Sequence, residues 1–137
     1  MKIHTDYITL HTEQQREFIT ITSNVKSAIE KCGIRDGIVL VSVLHSNSAV
    51  FVNDDEPGLQ TDIETWLQQI APHRTDYKHA TRTESNSSAH LQTLLLGNQV
   101  VLALTEGKLE LGPWQSIVYA ELDGLRPKKI VIKILGE

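Results

Sequence analysis

The sequence predicts an α+β domain, and two observations carry that expectation. Segments with the two-residue period of strands stand at both ends of the chain, and three segments with helical spacing are inserted among them instead of alternating one for one with strands. The length of 137 residues is near the commonest size of a single domain, so residues 1–137 are read as one unit.

The elements follow in order. Ile3 to Leu10 alternate apolar and polar residues, and Glu17 to Thr22 repeat the pattern after a polar turn, which predicts an opening hairpin. Thr22 or Ser23 is placed to cap a helix whose apolar face is Val25, Ala28, Ile29 and Cys32, and Gly33 is placed to end it. Gly37 to Leu44 reads as a buried strand ending at His45, with Ala49 to Asn53 as a short return strand. Pro57 opens a second helix with Leu59, Ile63, Trp66, Leu67 and Ile70 on one face. Residues 72–85 form a polar loop of a length more often functional than idle. A third helix runs from Asn86 to Gly97. Strands are expected over Val100 to Leu104, Ser116 to Leu122 and Lys129 to Leu135.

Composition narrows the function. A single cysteine, Cys32, excludes an intrachain disulfide and a cysteine-based zinc knuckle, and its place on an apolar helix face makes it a packing residue. A net charge of -4 and few aromatic residues argue against nucleic-acid binding. The basic run Arg126-Pro127-Lys128-Lys129 reads as a solvated turn. No apolar run spans a bilayer and the first residues lack the apolar region of a signal peptide, so no membrane contact and a cytoplasmic location are expected. Phosphate-loop, dinucleotide-fold and serine-elbow motifs are absent.

Six histidines remain, and their settings rank them. His4, His11 and His73 sit at ordinary solvent-side positions. His45 ends a buried strand and opens the polar string Ser46-Asn47-Ser48; His79 lies in the long loop; His90 shares a helix face with Asn86. Three histidines so presented can ligate a zinc ion, bind a phosphate as partly protonated donors, or act as acid and base. Asn47, Asn53, Asp54, Asp55 and Glu56 can add oxygen ligands for magnesium, or form a turn and an acidic helix start that complements the helix dipole.

Four blocks then resemble one family in order and at matching separations. They are His45-Ser46-Asn47-Ser48-Ala49 with Asn53 to Leu59; Asp76-Tyr77-Lys78-His79; Asn86-Ser87-Ser88-Ala89-His90-Leu91; and Gly107 to Gln115 followed by Glu121-Leu122-Asp123-Gly124. The chain resembles the YjbQ family, also called the secondary thiamine-phosphate synthase family. It departs in having Ser46-Asn47 where the family usually has two hydroxyl residues, and Pro113 where it has threonine. The resemblance implies a homotrimer with a β-sandwich-like core of mixed or antiparallel sheet, flanked by about three helices, with ligand pockets near subunit contacts. It also implies a weak transferase activity joining a pyrimidine methyl diphosphate to a thiazole phosphate with release of pyrophosphate. His45, His79 and His90 are the expected catalytic residues and, with a divalent zinc or magnesium ion, the expected metal ligands. Asn47, Asn53, Glu56, Asn86, Gly112, Trp114, Gln115 and Arg126 are the expected substrate contacts, Trp114 being either pocket wall or core anchor. A metal-dependent hydrolase and a non-catalytic trimeric metabolite- or metal-binding module are the alternatives.

Overall fold

The computed structural model describes residues 1–74, 76–79 and 86–137. Part of the loop expected over 72–85, namely residue 75 and residues 80–85, lies outside the described residues. The described elements are β1 (Lys2–Leu10), β2 (Glu17–Thr20), α1 (Thr22–Cys32), β3 (Gly37–Val43), β4 (Ser48–Asn53), α2 (Pro57–Ile70), α3 (Ser87–Leu96), β5 (Gln99–Thr105), β6 (Lys108–Leu109), β7 (Ser116–Glu121) and β8 (Lys128–Gly136). The α+β expectation holds, and among the described residues no helix is long and apolar enough to cross a membrane.

Two antiparallel sheets carry the domain, in the orders β1-β8-β3-β5-β6 and β2-β7-β4. The opening hairpin is therefore not formed: β1 pairs with β8 and β2 with β7. The polar turn between β1 and β2 carries the chain from one sheet to the other, which a two-residue period cannot distinguish from a hairpin. In the same way β4 pairs with β7 and not with β3, so the connection at residues 44–47 also crosses between sheets.

Alternation explains the layers. Val39, Val41 and Val43 of β3 and Ile130, Ile132 and Ile134 of β8 meet Val50 of β4, Ile117 and Tyr119 of β7, and Val25, Ala28 and Ile29 of α1 in one buried core. The opposite side chains of the three-stranded sheet, Ala49, Ala120 and Leu122, pack with Leu67 of α2 and Ala89 of α3. The order is thus large sheet, small sheet, then α2 and α3. The outer face of the large sheet exposes Ile3, Tyr7, Ile38 and Val101, the last at 61%.

The ends of α1 bear out one local expectation and correct another. Gly33 ends α1 in the left-handed conformation, φ 71°, as a residue without a Cβ can. No side chain caps its start, because Thr22 Oγ1 instead accepts the Ile117 N–H at 2.9 Å and ties α1 to β7. Glu56 is the N-cap of α2, accepting from the N–H groups of Gly58 and Leu59 at 2.5 and 3.2 Å, while Asn53 Oδ1 accepts from Asp54 N at 2.8 Å. These acidic-turn residues serve the helix start.

The basic run is not a solvated turn throughout. Lys128 begins β8 on its inward face, in the row of Ile130 and Ile132, and its side chain is only 4% exposed. A charge so placed needs a partner. Its Nζ donates to Glu121 Oε2 at 2.7 Å, to Asn47 Oδ1 at 2.9 Å and to the Asp123 carbonyl at 3.3 Å, and Glu121 Oε1 accepts from the Tyr119 hydroxyl at 2.8 Å. Replacing Lys128 by alanine strands the fully buried Glu121 carboxylate and is expected to cost about 3–5 kcal/mol, read as a lowered midpoint in urea with an unchanged slope.

Candidate functional site

The end of β3 and the start of its connection to β4 are held by the residue before β5 and by β8. Val43 N–H donates to the Asn98 carbonyl at 3.0 Å and Leu44 N–H to the Lys129 carbonyl at 3.2 Å. The next group of β8, the Lys129 N–H, donates to His45 Nε2 at 2.9 Å. A backbone N–H only donates, so Nε2 bears the lone pair and Nδ1 of the neutral ring carries the proton. Burial lowers the His45 pKa, the Lys128 charge lowers it further, and Glu121 partly opposes both.

His90 approaches from α3. Its Nδ1 lies 3.1 Å from the Ser46 carbonyl, which only accepts, so Nδ1–H donates and Nε2 is left with its lone pair. Thr93 Oγ1 donates to the His90 carbonyl at 2.8 Å and lies 3.3 Å from that of Ser46. His45, Ser46, Ser48, His90, Thr93 and Asn98 line one cleft of about 330 Å³. Its two rings therefore offer opposite hydrogen-bonding character: Nδ1–H of His45 donates and Nε2 of His90 accepts. His79 sets its ring edge-on to His90, centroids 4.6 Å apart at 75°.

Below the cleft the Asp123 carboxylate gathers polar side chains. Its Oδ2 accepts from Asn47, Asn86 and Arg126, each at 3.1 Å, and its Oδ1 accepts from Gln15. Asn86 is the residue preceding α3, yet its side chain makes no cap bond and goes to Asp123.

The family described as UPF0047 protein YjbQ-like matches residues 6–137. The chain belongs to the YjbQ family. A UPF0047 protein of Methanothermobacter thermautotrophicus is 39% identical over 137 residues, covering all of this chain and 95% of its own. A YbjQ-like protein of unknown function from Sulfolobus solfataricus superposes with a TM-score of 0.94 at 39% identity, covering 99% of each chain. A YjbQ/UPF0047 protein from Clostridium acetobutylicum does so with 0.88 at 35% identity, covering 95% of this chain and 99% of that one.

The YjbQ blocks do not all meet at the cleft. His45 and His90 line it, with His79 against His90; Asn47, Asn86 and Arg126 join through Asp123. Asn53 and Glu56 are engaged at the α2 start. Gly112 and Gln115 close a turn on each other, Gly112 N–H donating to Gln115 Oε1 at 2.8 Å. Trp114 in that turn is 76% exposed, so within this chain it is not a core anchor, nor does it border the histidine cleft.

Nor do the residues present fit a three-histidine metal. Among the described residues no group of three or more His, Cys, Asp or Glu is arranged to hold one. The reason at His45 is that Nε2 is committed to a backbone N–H and Nδ1 carries the proton, so neither is a ready ligand. His4, expected at a solvent-side position, is half-buried, with Nε2 lacking a partner among the described residues.

The sequence places Glu121 and Asp123 in a family block and Lys128 in the basic run, but assigns none of the three a place in the site or the core. The signal available was a pair of acids at the end of a strand whose neighbours are apolar, followed by a lysine at the inward position of the next.

Because the folded pKa of His45 is depressed, its neutral form contributes stability that is fully present above the unfolded value of about 6.5. That stability is lost as pH falls through the folded pKa, since the unfolded chain takes up the proton first. The denaturation midpoint of the wild type is expected to fall over that range relative to His45→Gln, as chemical denaturation across the pH series measures.

Proposed function

We propose that the cleft between His45 and His90 binds a phosphorylated small molecule, and that the chain is an enzyme of phosphorylated small-molecule chemistry. The observation that supports this reading is the paired hydrogen-bonding character of the two rings. A phosphate monoanion presents an oxygen acceptor for the His45 Nδ1–H and a P–OH donor for the His90 Nε2, so one tetrahedral group satisfies both. The exposed Ser46 hydroxyl of the lining adds a rotatable donor.

Thiamine-phosphate synthesis is the specific reaction within this reading. The thiazole nitrogen attacks the methylene carbon of the pyrimidine diphosphate, the carbon–oxygen bond breaks, and pyrophosphate leaves with the electron pair. The His45 N–H would stabilise charge developing on the departing oxygens. A metal-assisted hydrolase fits the donor set less well, since only His90 offers an uncommitted ring nitrogen among the two cleft histidines. The non-catalytic binding module differs from the enzyme only in turnover.

Calorimetric titration of inorganic phosphate and pyrophosphate tests the binding step. Each of His45→Ala and His90→Ala is expected to weaken binding about 10- to 100-fold, the worth of one charge-assisted hydrogen bond of about 1.5–3 kcal/mol. Absence of binding by the wild type to either anion defeats the reading. Pyrophosphate release from the mixed pyrimidine diphosphate and thiazole phosphate then separates turnover from binding.

The same reading includes a homotrimer. The exposed apolar outer face of the large sheet, with Ile3, Ile38 and Val101, and the exposed Trp114 support it, because such faces on a small domain serve as contacts. Light scattering at micromolar concentration is expected to give three times the chain mass of 15.3 kDa, and Val101→Lys to give the monomer mass.

A further inference from the structure

We propose that Asp123 is the positioning residue of the histidine cleft, fixing the distance between the segment of His45 and the helix of His90 and thereby the proton positions on both rings. The inference rests on the reading of those two histidines as one site.

Asp123 is nearly buried, and its carboxylate takes donors from four separated segments. Gln15 comes from the β1–β2 crossing, Asn47 from the β3–β4 crossing, Asn86 from the start of α3 and Arg126 from the turn before β8. Two of these arms adjoin the site. Asn47 lies two residues after His45 and one after Ser46, whose carbonyl holds the His90 ring; Asn86 lies one helical turn before His90, with its carbonyl accepting the His90 N–H at 3.2 Å.

A single Oδ2 atom binds both arms, so the spacing of loop and helix is set through one point. The clamp is itself anchored. The Asp123 N–H donates to Glu121 Oε2 at 3.3 Å, its carbonyl accepts from Lys128 Nζ, and Lys128 also holds the Asn47 Oδ1, leaving the Asn47 amide oriented toward Asp123. Asp123 touches neither ring, so its action is through Asn47 and Asn86.

The consequence is spectroscopic. Held by Lys129 N–H and by the Ser46 carbonyl, both neutral rings carry the proton on Nδ1, the minor form of a free imidazole in water. Two-bond nitrogen–proton correlation spectra at pH 8, assigned with His45→Gln and His90→Gln, are expected to show the Nδ1–H form for both residues in the wild type. Asp123→Asn keeps the shape but removes the charge that draws three donors to Oδ2 and sets an amide NH2 against either those donors or Gln15, and should reduce the Nδ1–H share at least twofold at both rings. Asn86→Ala should do so at His90 with His45 unchanged.

A merely structural Asp123 would lower the melting temperature and leave both patterns intact, and a folded Asp123→Asn with wild-type patterns overturns the proposal. Where Asp123→Asn fails to fold, Asn86→Ala decides in the same way: a wild-type His90 pattern overturns it. A wild type whose two rings carry the proton on Nε2 instead defeats the underlying reading of the site, a result distinct from failure of the Asp123 variants.

Discussion

The rest of the structure depends on a charge kept inside the space between two sheets. Lys128 and Glu121 face each other at one end of that core, and neither is tolerable there alone. Their pairing selects which residues can be neighbours: β7 must end where β8 begins, and the β3–β4 crossing must bring Asn47 close enough to complete the ammonium's bonds. Apolar residues of similar volume would leave that end free to slide. The ion pair thus specifies an arrangement more than it adds stability, and the cleft is built on the arrangement it specifies.

The pair also acts on the site at a distance. Burial, and after it the Lys128 charge, disfavour the protonated form of His45, whose neutral ring accepts a backbone N–H through one nitrogen and donates through the other. A histidine on a solvated loop would exchange between its forms. Here structural electrostatics and site chemistry share the same lysine.

Much of this was legible in the chain. Helix limits follow from Pro57, Gly33 and Gly97, and the strands from alternation, because those signals are local. Pairing was not, since the period of two is the same whether a strand returns to its neighbour or crosses to another sheet, and both crossings in the first half were misassigned for that reason. The three histidines read from the sequence as strand end, loop and helix are brought near one another: two line the cleft and the third lies against one ring. The roles of Asp123, Glu121 and Lys128 were not legible, because they lie in burial. A lysine in the run Arg126-Pro127-Lys128-Lys129 looks solvated until the inward row of β8 is known. Family resemblance alone also overreached: Glu56 and Gln115 match its blocks yet are occupied by their own turns.

The bond from Lys129 N–H to His45 has a consequence for when the cleft comes into being. His45 and His90 are made well before Lys128 and Lys129, and β8 inserts between β1 and β3, two strands made early. A growing chain that already holds α3 therefore has both rings, but the group that fixes the His45 proton is still to come. The hydrogen-bonding pattern at His45 is therefore withheld until β8 is zipped between its neighbours, so the ring reports completion of the sheet.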